Sequence, residues 1–107
     1  MSVMDKRYEE ALLFDFYGEL LTERQKQIYQ AVVMDDFSLG ETAREYGITR
    51  QGVHDMIRRC GKILEGYEER LGLVSRFLRV KKKTEEIRGL TGDERVARLA
   101  DEILEDL

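Results

Sequence analysis

Residues 38–64, SLGETAREYGITRQGVHDMIRRCGKIL, constrain this chain more than any other stretch. They read as a short helix, a turn of about three residues and a second helix that crosses the first at close range. Each demand of that crossing has a candidate residue. Ser38 starts the first helix, with Glu41 three positions on to complete a reciprocal cap. Ala43 is small enough to let the second helix approach. Gly47, four residues later, can take the positive φ that the turn needs. Ile48 is placed to plug the elbow, and Thr49 to cap the second helix. Val53, Met56 and Ile57 then recur at core spacing. A helix-turn-helix is the expected motif, with Ser38, Ala43, Gly47, Ile48 and Val53 as its structural positions. A plain helical hairpin with no nucleic-acid role is the alternative.

The face of the second helix opposite Val53 collects Gln51, Asp55, Arg58 and Lys62 at ~100° per residue, flanked by His54 and Arg59. Thr49 and Arg50 stand at the helix start, where recognition helices meet bases. Glutamine can pair two edges of adenine and arginine two edges of guanine. The candidate nucleic-acid contacts are therefore Thr49, Arg50, Gln51, His54, Arg58 and Lys62. Asp55 argues the other way. It repels phosphate, and its spacing to Arg58 and Arg59 suits ordinary surface ion pairs worth ~0.3–0.5 kcal/mol each.

Composition narrows the class. The chain has 107 residues, no proline and no tryptophan, with 37% charged and 42% hydrophobic residues, which suits a helical protein. No apolar run approaches the ~18 residues of a membrane span, and the first ten residues lack a signal peptide's apolar stretch. A single cysteine, Cys60, cannot form an internal disulfide. A cytoplasmic location is expected. The net charge of −4 is uneven: residues 38–88 are mildly basic and both ends are acidic. His54 is the only histidine, so no Cys/His metal site is available. Gly61-Lys62-Ile63 lacks the remaining residues of a phosphate loop. Neither a cofactor nor an enzymatic activity is expected.

Capping boxes at Thr22–Gln25, Ser38–Glu41 and Thr91–Glu94, with Gly18, Gly47 and Gly72 as candidate stops, place helices near 4–17, 23–34, 39–46, 50–71, 73–88 and 92–105. Gly72 reads either as a stop or as a kink in one long helix. Leu12, Leu13, Phe16, Tyr17 and Leu20 form a core stripe on the first helix, and Ile28, Tyr29, Val32 and Val33 on the second. The expected organisation is an all-α helix-turn-helix domain at 1–71 and a C-terminal helical extension at 72–107. Val53, Ile57, Cys60, Leu64, Tyr67, Leu71, Val74 and Leu78 alternate steps of four and three, an a/d seam. Its later part either folds back on the last helix, with Val96, Leu99, Ile103 and Leu107, or dimerises. A homodimer through Leu71, Val74 and Leu78 is the expectation.

LLFDFYGELLTERQ at 12–25, DDFSLGETA at 35–43 and ITRQGVHDMIRR at 48–59 resemble, in order and spacing, the YlxM family of bacterial proteins associated with the signal recognition particle. The resemblance covers most of residues 8–73; the tail beyond 74 matches only in being helical and charged. It implies a fold like the helix-turn-helix of sigma-factor region 4 with extra helices. It also implies a regulatory role in the signal-recognition-particle pathway. The chain departs from the family at Gly52, where alanine is common, and at His54, where tyrosine is. Two functions follow: a regulator whose helix-turn-helix contacts DNA or RNA, or a module that docks on the signal-recognition GTPase or its ribonucleoprotein without touching DNA.

Overall fold

A computed structural model of the chain describes residues 6–107 and contains helices and turns among them. The helices are α1 (Lys6–Tyr17), α2 (Glu23–Tyr29), α3 (Leu39–Tyr46), α4 (Arg50–Leu71), α5 (Leu73–Leu90) and α6 (Glu94–Asp106). The chain divides into two compact units, Met1–Leu71 and Gly72–Leu107. The expected helix residues before position 6 lie outside the described region.

In the first unit the capping residues act as their chemistry requires. Thr22 Oγ1 accepts from the Gln25 N–H at 3.2 Å, and Gln25 Oε1 accepts from the Thr22 N–H at 3.0 Å. Ser38 and Glu41 repeat the exchange at the start of α3, at 3.0 and 3.1 Å. Each box satisfies amides that have no partner inside the helix. At the other end of α3, Gly47 takes φ 66° and its N–H reaches the Ala43 carbonyl. The Ile48 N–H also closes on Ala43 O at 3.0 Å. Thr49 Oγ1 then accepts from the Gly52 N–H at 2.9 Å and opens α4. The turn between the helices is thus made by one left-handed glycine and one hydroxyl.

The core forms where α2, α3 and α4 meet. Ile28, Ala43 and Val53 are buried together, with Val32, Leu39, Tyr46, Ile48, Met56 and Ile57 packed around them. Further along α4, Cys60 and Leu64 are completely buried. Tyr17 of α1 stacks on Tyr67 with ring centres 5.9 Å apart and donates its hydroxyl to Glu68 Oε1 at 2.6 Å. The polar tip of a buried aromatic is thereby satisfied rather than stranded. Burial pushes the Tyr29 hydroxyl up to about 12, with Glu10 next in effect. Burial also raises the Cys60 thiol, which suppresses the reactive thiolate.

Three expectations need correction. The α1 stripe is only partly core: Phe16 and Leu20 are exposed, while Leu12, Leu13 and Tyr17 are buried. Residues Gly18–Leu20 tighten into a 3-10 turn, which changes the angular step and turns Leu20 outward. Phe14, off the expected stripe, stacks on Tyr29 at 5.6 Å instead. The helix expected at 23–34 is α-helical only to Tyr29. Residues Gln30–Met34 widen to a π turn that closes with Asp35 N–H on Gln30 O at 2.9 Å. Asp36, at φ 61°, and a bond from the Phe37 N–H to Ala31 O then end the segment.

The second unit is a hairpin of α5 and α6. Thr84 and Ala100 are buried in it, and Arg88 Nε pairs with Asp101 Oδ1 at 3.0 Å. Thr91 does not cap α6, which is the third correction. Its hydroxyl accepts from the Asp93 N–H at 3.1 Å, while Asp93 Oδ1 accepts from Arg95 N–H at 2.8 Å and Val96 N–H at 3.4 Å. A carboxylate one residue before the helix is better placed for the helix's positive end than a hydroxyl three residues before it. Gly72 stands between α4 and α5 at φ 63°, so it stops one helix and begins the next. The seven-residue seam therefore does not run through a single helix.

The Ser38 box offers a direct test. Ser38→Ala should cost about 1 kcal/mol in chemical denaturation. Hydrogen bonds from Ser38 hold the Glu41 carboxyl below its ordinary range. A lowered folded value means this contribution is present above the unfolded glutamate pKa and is lost as pH falls through the folded one. Glu41→Gln keeps the bond but removes the titration, so its acid-side stability profile should be flatter than the wild type's. Superimposable profiles would remove Glu41 from the cap.

Candidate nucleic-acid interface

The crossing of α3 and α4 leaves the far side of α4 exposed. Gln51, His54, Asp55, Arg58, Arg59 and Lys62 are all exposed there, while Val53 and Cys60 point into the core. One helix thus separates an apolar side that anchors it from a polar side that is available. Asp55 Oδ1 accepts from Gln51 Nε2 at 2.9 Å and lies 3.8 Å from His54 Nδ1. Neither Arg58 nor Arg59 is ion-paired with Asp55, although the spacing allows it. Asp55, Arg58, Arg59 and Lys62 line a shallow depression on this face. A groove of about 300 Å³ adjoins it, lined by Lys6, Glu10, Tyr29, Arg58, Lys62 and Glu65 among others. Its two carboxylates make it a poor anion pocket, so the cations matter as surface charges.

Thr49 and Arg50, expected to face bases, have work inside the motif. The Thr49 hydroxyl is committed to the Gly52 amide. A Cβ on Gly52 would come within 3.1 Å of that hydroxyl, so glycine at this departure from the family leaves the cap uncrowded. Arg50 lays its guanidinium across Gly40 of α3, where a Cβ would meet Nη2 at 2.8 Å and Nε at 3.0 Å. This contact is not among those expected from the sequence. The signal was a glycine at the second position of an otherwise well-capped helix, which costs roughly 0.5–1 kcal/mol relative to alanine unless something needs the space. Arg24 of α2 is likewise unexpected from the sequence. It donates to the Tyr46 carbonyl at 3.3 Å and stands 5.9 Å from that ring, a cation at the C-terminal end of α3.

The structure therefore brings Gln51, His54, Arg58 and Lys62 onto one exposed face, with Thr49 and Arg50 at its margin and turned to structural contacts. Of the residues expected at a dimer contact, Val74 is buried within the single chain, Leu78 is half-buried and Leu71 is exposed.

An all-helical protein with this left-handed glycine turn, small residue at the crossing and exposed second helix is a helix-turn-helix protein. The family comparison is specific: the model of the UPF0122 family, YlxM / p13 like helix-turn-helix proteins, matches residues 4–103. The chain belongs to that family. It is 52% identical over 84 residues to a UPF0122 protein of Acetivibrio thermocellus, covering 78% of this chain and 72% of the relative. It is 46% identical over 95 residues to one from Bacillus licheniformis, covering 89% of each. A Thermoanaerobacter relative is 39% identical over 103 residues, covering 90% of this chain and 88% of the relative. No helix among the described residues is long and apolar enough to cross a membrane.

The Arg50–Gly40 contact predicts the outcome of Gly40→Ala. The atoms in the way are the end of a flexible side chain, so Arg50 should swing out while α3 gains helix propensity. Net stability should stay within about 1 kcal/mol of wild type, and the Arg50 Nε–H resonance should shift in NMR spectra. A loss of several kcal/mol would mean that Arg50 cannot leave its seat.

Proposed function

We propose that this chain is a regulatory protein of the signal-recognition-particle pathway that contacts nucleic acid through the exposed face of α4. The observation that carries the reading is the side-by-side exposure of Arg58, Arg59 and Lys62 on a helix locked in place by its opposite side. Arg58 and Lys62 suit phosphates; Gln51 and His54 are the residues able to read base edges. Arg50 belongs to the motif's scaffold and contributes positive charge at the rim. The link to protein targeting rests on the family resemblance. The molecule acts as a homodimer, because paired helix-turn-helix motifs engage half-sites about 34 Å apart.

A second reading is supported by a different observation. The net charge is −4, and Glu9, Glu65, Glu68 and Glu69 gather around the opposite end of α4. Such a chain suits docking on a basic partner, the signal-recognition GTPase or its ribonucleoprotein, without DNA. Salt response separates the two. Phosphate contacts release counterions, and log affinity falls with log salt by about 0.9 per phosphate neutralised. Arg58→Ala with Lys62→Ala should weaken binding to duplex DNA and reduce that slope by roughly 2 units, with Arg50→Ala having a smaller effect. Binding and slope unchanged in the double variant would exclude this face.

A further inference from the structure

The α5–α6 hairpin has one uncovered side. Leu73, Val80 and Ile87 recur every seven residues along α5, and Val96, Leu99 and Ile103 recur by three and four along α6. All six are 37–51% exposed. The two helices are joined by a short connection, Thr91–Asp93, and run antiparallel. At ~100° per residue, the α5 stripe is rotated to one side of buried Thr84, and the α6 stripe is rotated in the same sense from buried Ala100. In antiparallel helices those equal rotations bring the stripes to the same side of the hairpin. They form one apolar face, and Val74 and Leu78 are rotated away from it.

Scattered apolar residues are normal on a protein surface, but a contiguous face of this kind is not. The unit spans only Gly72–Leu107. Domains below about 40 residues usually need a disulfide, a metal or oligomerisation to hold together. The sole cysteine lies in the other unit, and no metal-binding group of His, Cys, Asp or Glu occurs among the described residues. The borders of the face point to its occupant. Arg76 and Lys83 flank the α5 stripe on its outer edge, and Glu102 and Asp106 flank the α6 stripe on its outer edge, with one cation, Arg95, beside them near the connection. A two-fold axis through the face would set the basic edge of one copy against the acidic edge of the other. Such self-complementarity is what an isologous interface requires.

We propose that this face is covered by the same face of a second copy, so that two hairpins form a four-helix bundle with each α5 beside the partner's α6. The inference deepens the homodimer of the functional reading and moves its interface from Leu71, Val74 and Leu78 to Leu73, Val80, Ile87, Val96, Leu99 and Ile103. It does not depend on nucleic-acid binding, and its test contains none, so its failure would remove the homodimer from the functional reading and leave nucleic-acid contact by α4 standing.

Light scattering on the full chain across a concentration series should give twice the chain mass. Ile87→Glu with Leu99→Glu should halve that mass while the helical circular-dichroism signal is kept, and Leu71→Asp should leave the dimer intact. Charge variants provide a second arm should the apolar double variant unfold. R76E/K83E and E102K/D106K should each weaken association, and their equimolar mixture should restore a dimer. A wild type that is monomeric throughout overturns the proposal, as does a well-folded Ile87→Glu, Leu99→Glu variant that stays dimeric. A mixture no better than either charge variant alone overturns the pairing of α5 with the partner's α6.

Discussion

The close crossing of α3 and α4 is the contact on which the rest of the first unit depends. It requires a small residue at Ala43, a left-handed backbone at Gly47 and a cap at Thr49, within seven residues of chain. Once those are met, Val53 is buried in one cluster with Ala43 and Ile28. The crossing also determines what remains outside. Because α4 is anchored along Val53, Cys60 and Leu64, its opposite side cannot rotate inward, and Arg58, Arg59 and Lys62 stay in solvent. Which face of α4 is left available is thus an outcome of which side of the helix the core consumes.

Much of this was legible in the sequence, and the reason is that the motif is local. The Ser38 and Thr22 capping boxes, the Gly47 turn and the Thr49 cap each use residues within four positions of each other, so short-range chemistry decides them. The bounds of α3 and α4 followed directly. Features that depend on backbone phase were read less well. The 3-10 turn at Gly18–Leu20 changes the angular step, so an assumed 100° carries Leu20 to the wrong side, and the π turn at Gln30–Met34 ends the α-helical stretch of α2 early while Val32 still packs on the core. The partners of long-range contacts were not legible. Gly40 signals that something needs the room but not that it is Arg50, ten residues away, and nothing near Tyr17 reveals Glu68.

The seven-residue seam shows the same limit in another form. Val53, Cys60 and Leu64 obey it on α4, but Leu71 at the end of the same helix is exposed. Beyond Gly72 the spacing continues in the sequence, but the left-handed residue resets the phase. Burial follows what packs against each position rather than the repeat: Leu71 is exposed although α4 is continuous to it, and Val74 is buried beyond the break. After the reset, α5 presents Leu73, Val80 and Ile87 outward and keeps Val74 inside, which redirects the apolar surface of the second unit.

The two units carry different surfaces: cations on the exposed face of α4, and an apolar face with oppositely charged borders on the hairpin. The most direct test of the central claim is a chemical-shift map of the isotopically labelled full chain titrated with a short DNA duplex at low salt. The account predicts shifts concentrated on the backbone and side chains of Gln51, His54, Arg58 and Lys62, with the buried core of α4 and the outer face of α6 unchanged. Shifts centred on α6 or on the acidic end of α4, or none at any salt concentration, would contradict it.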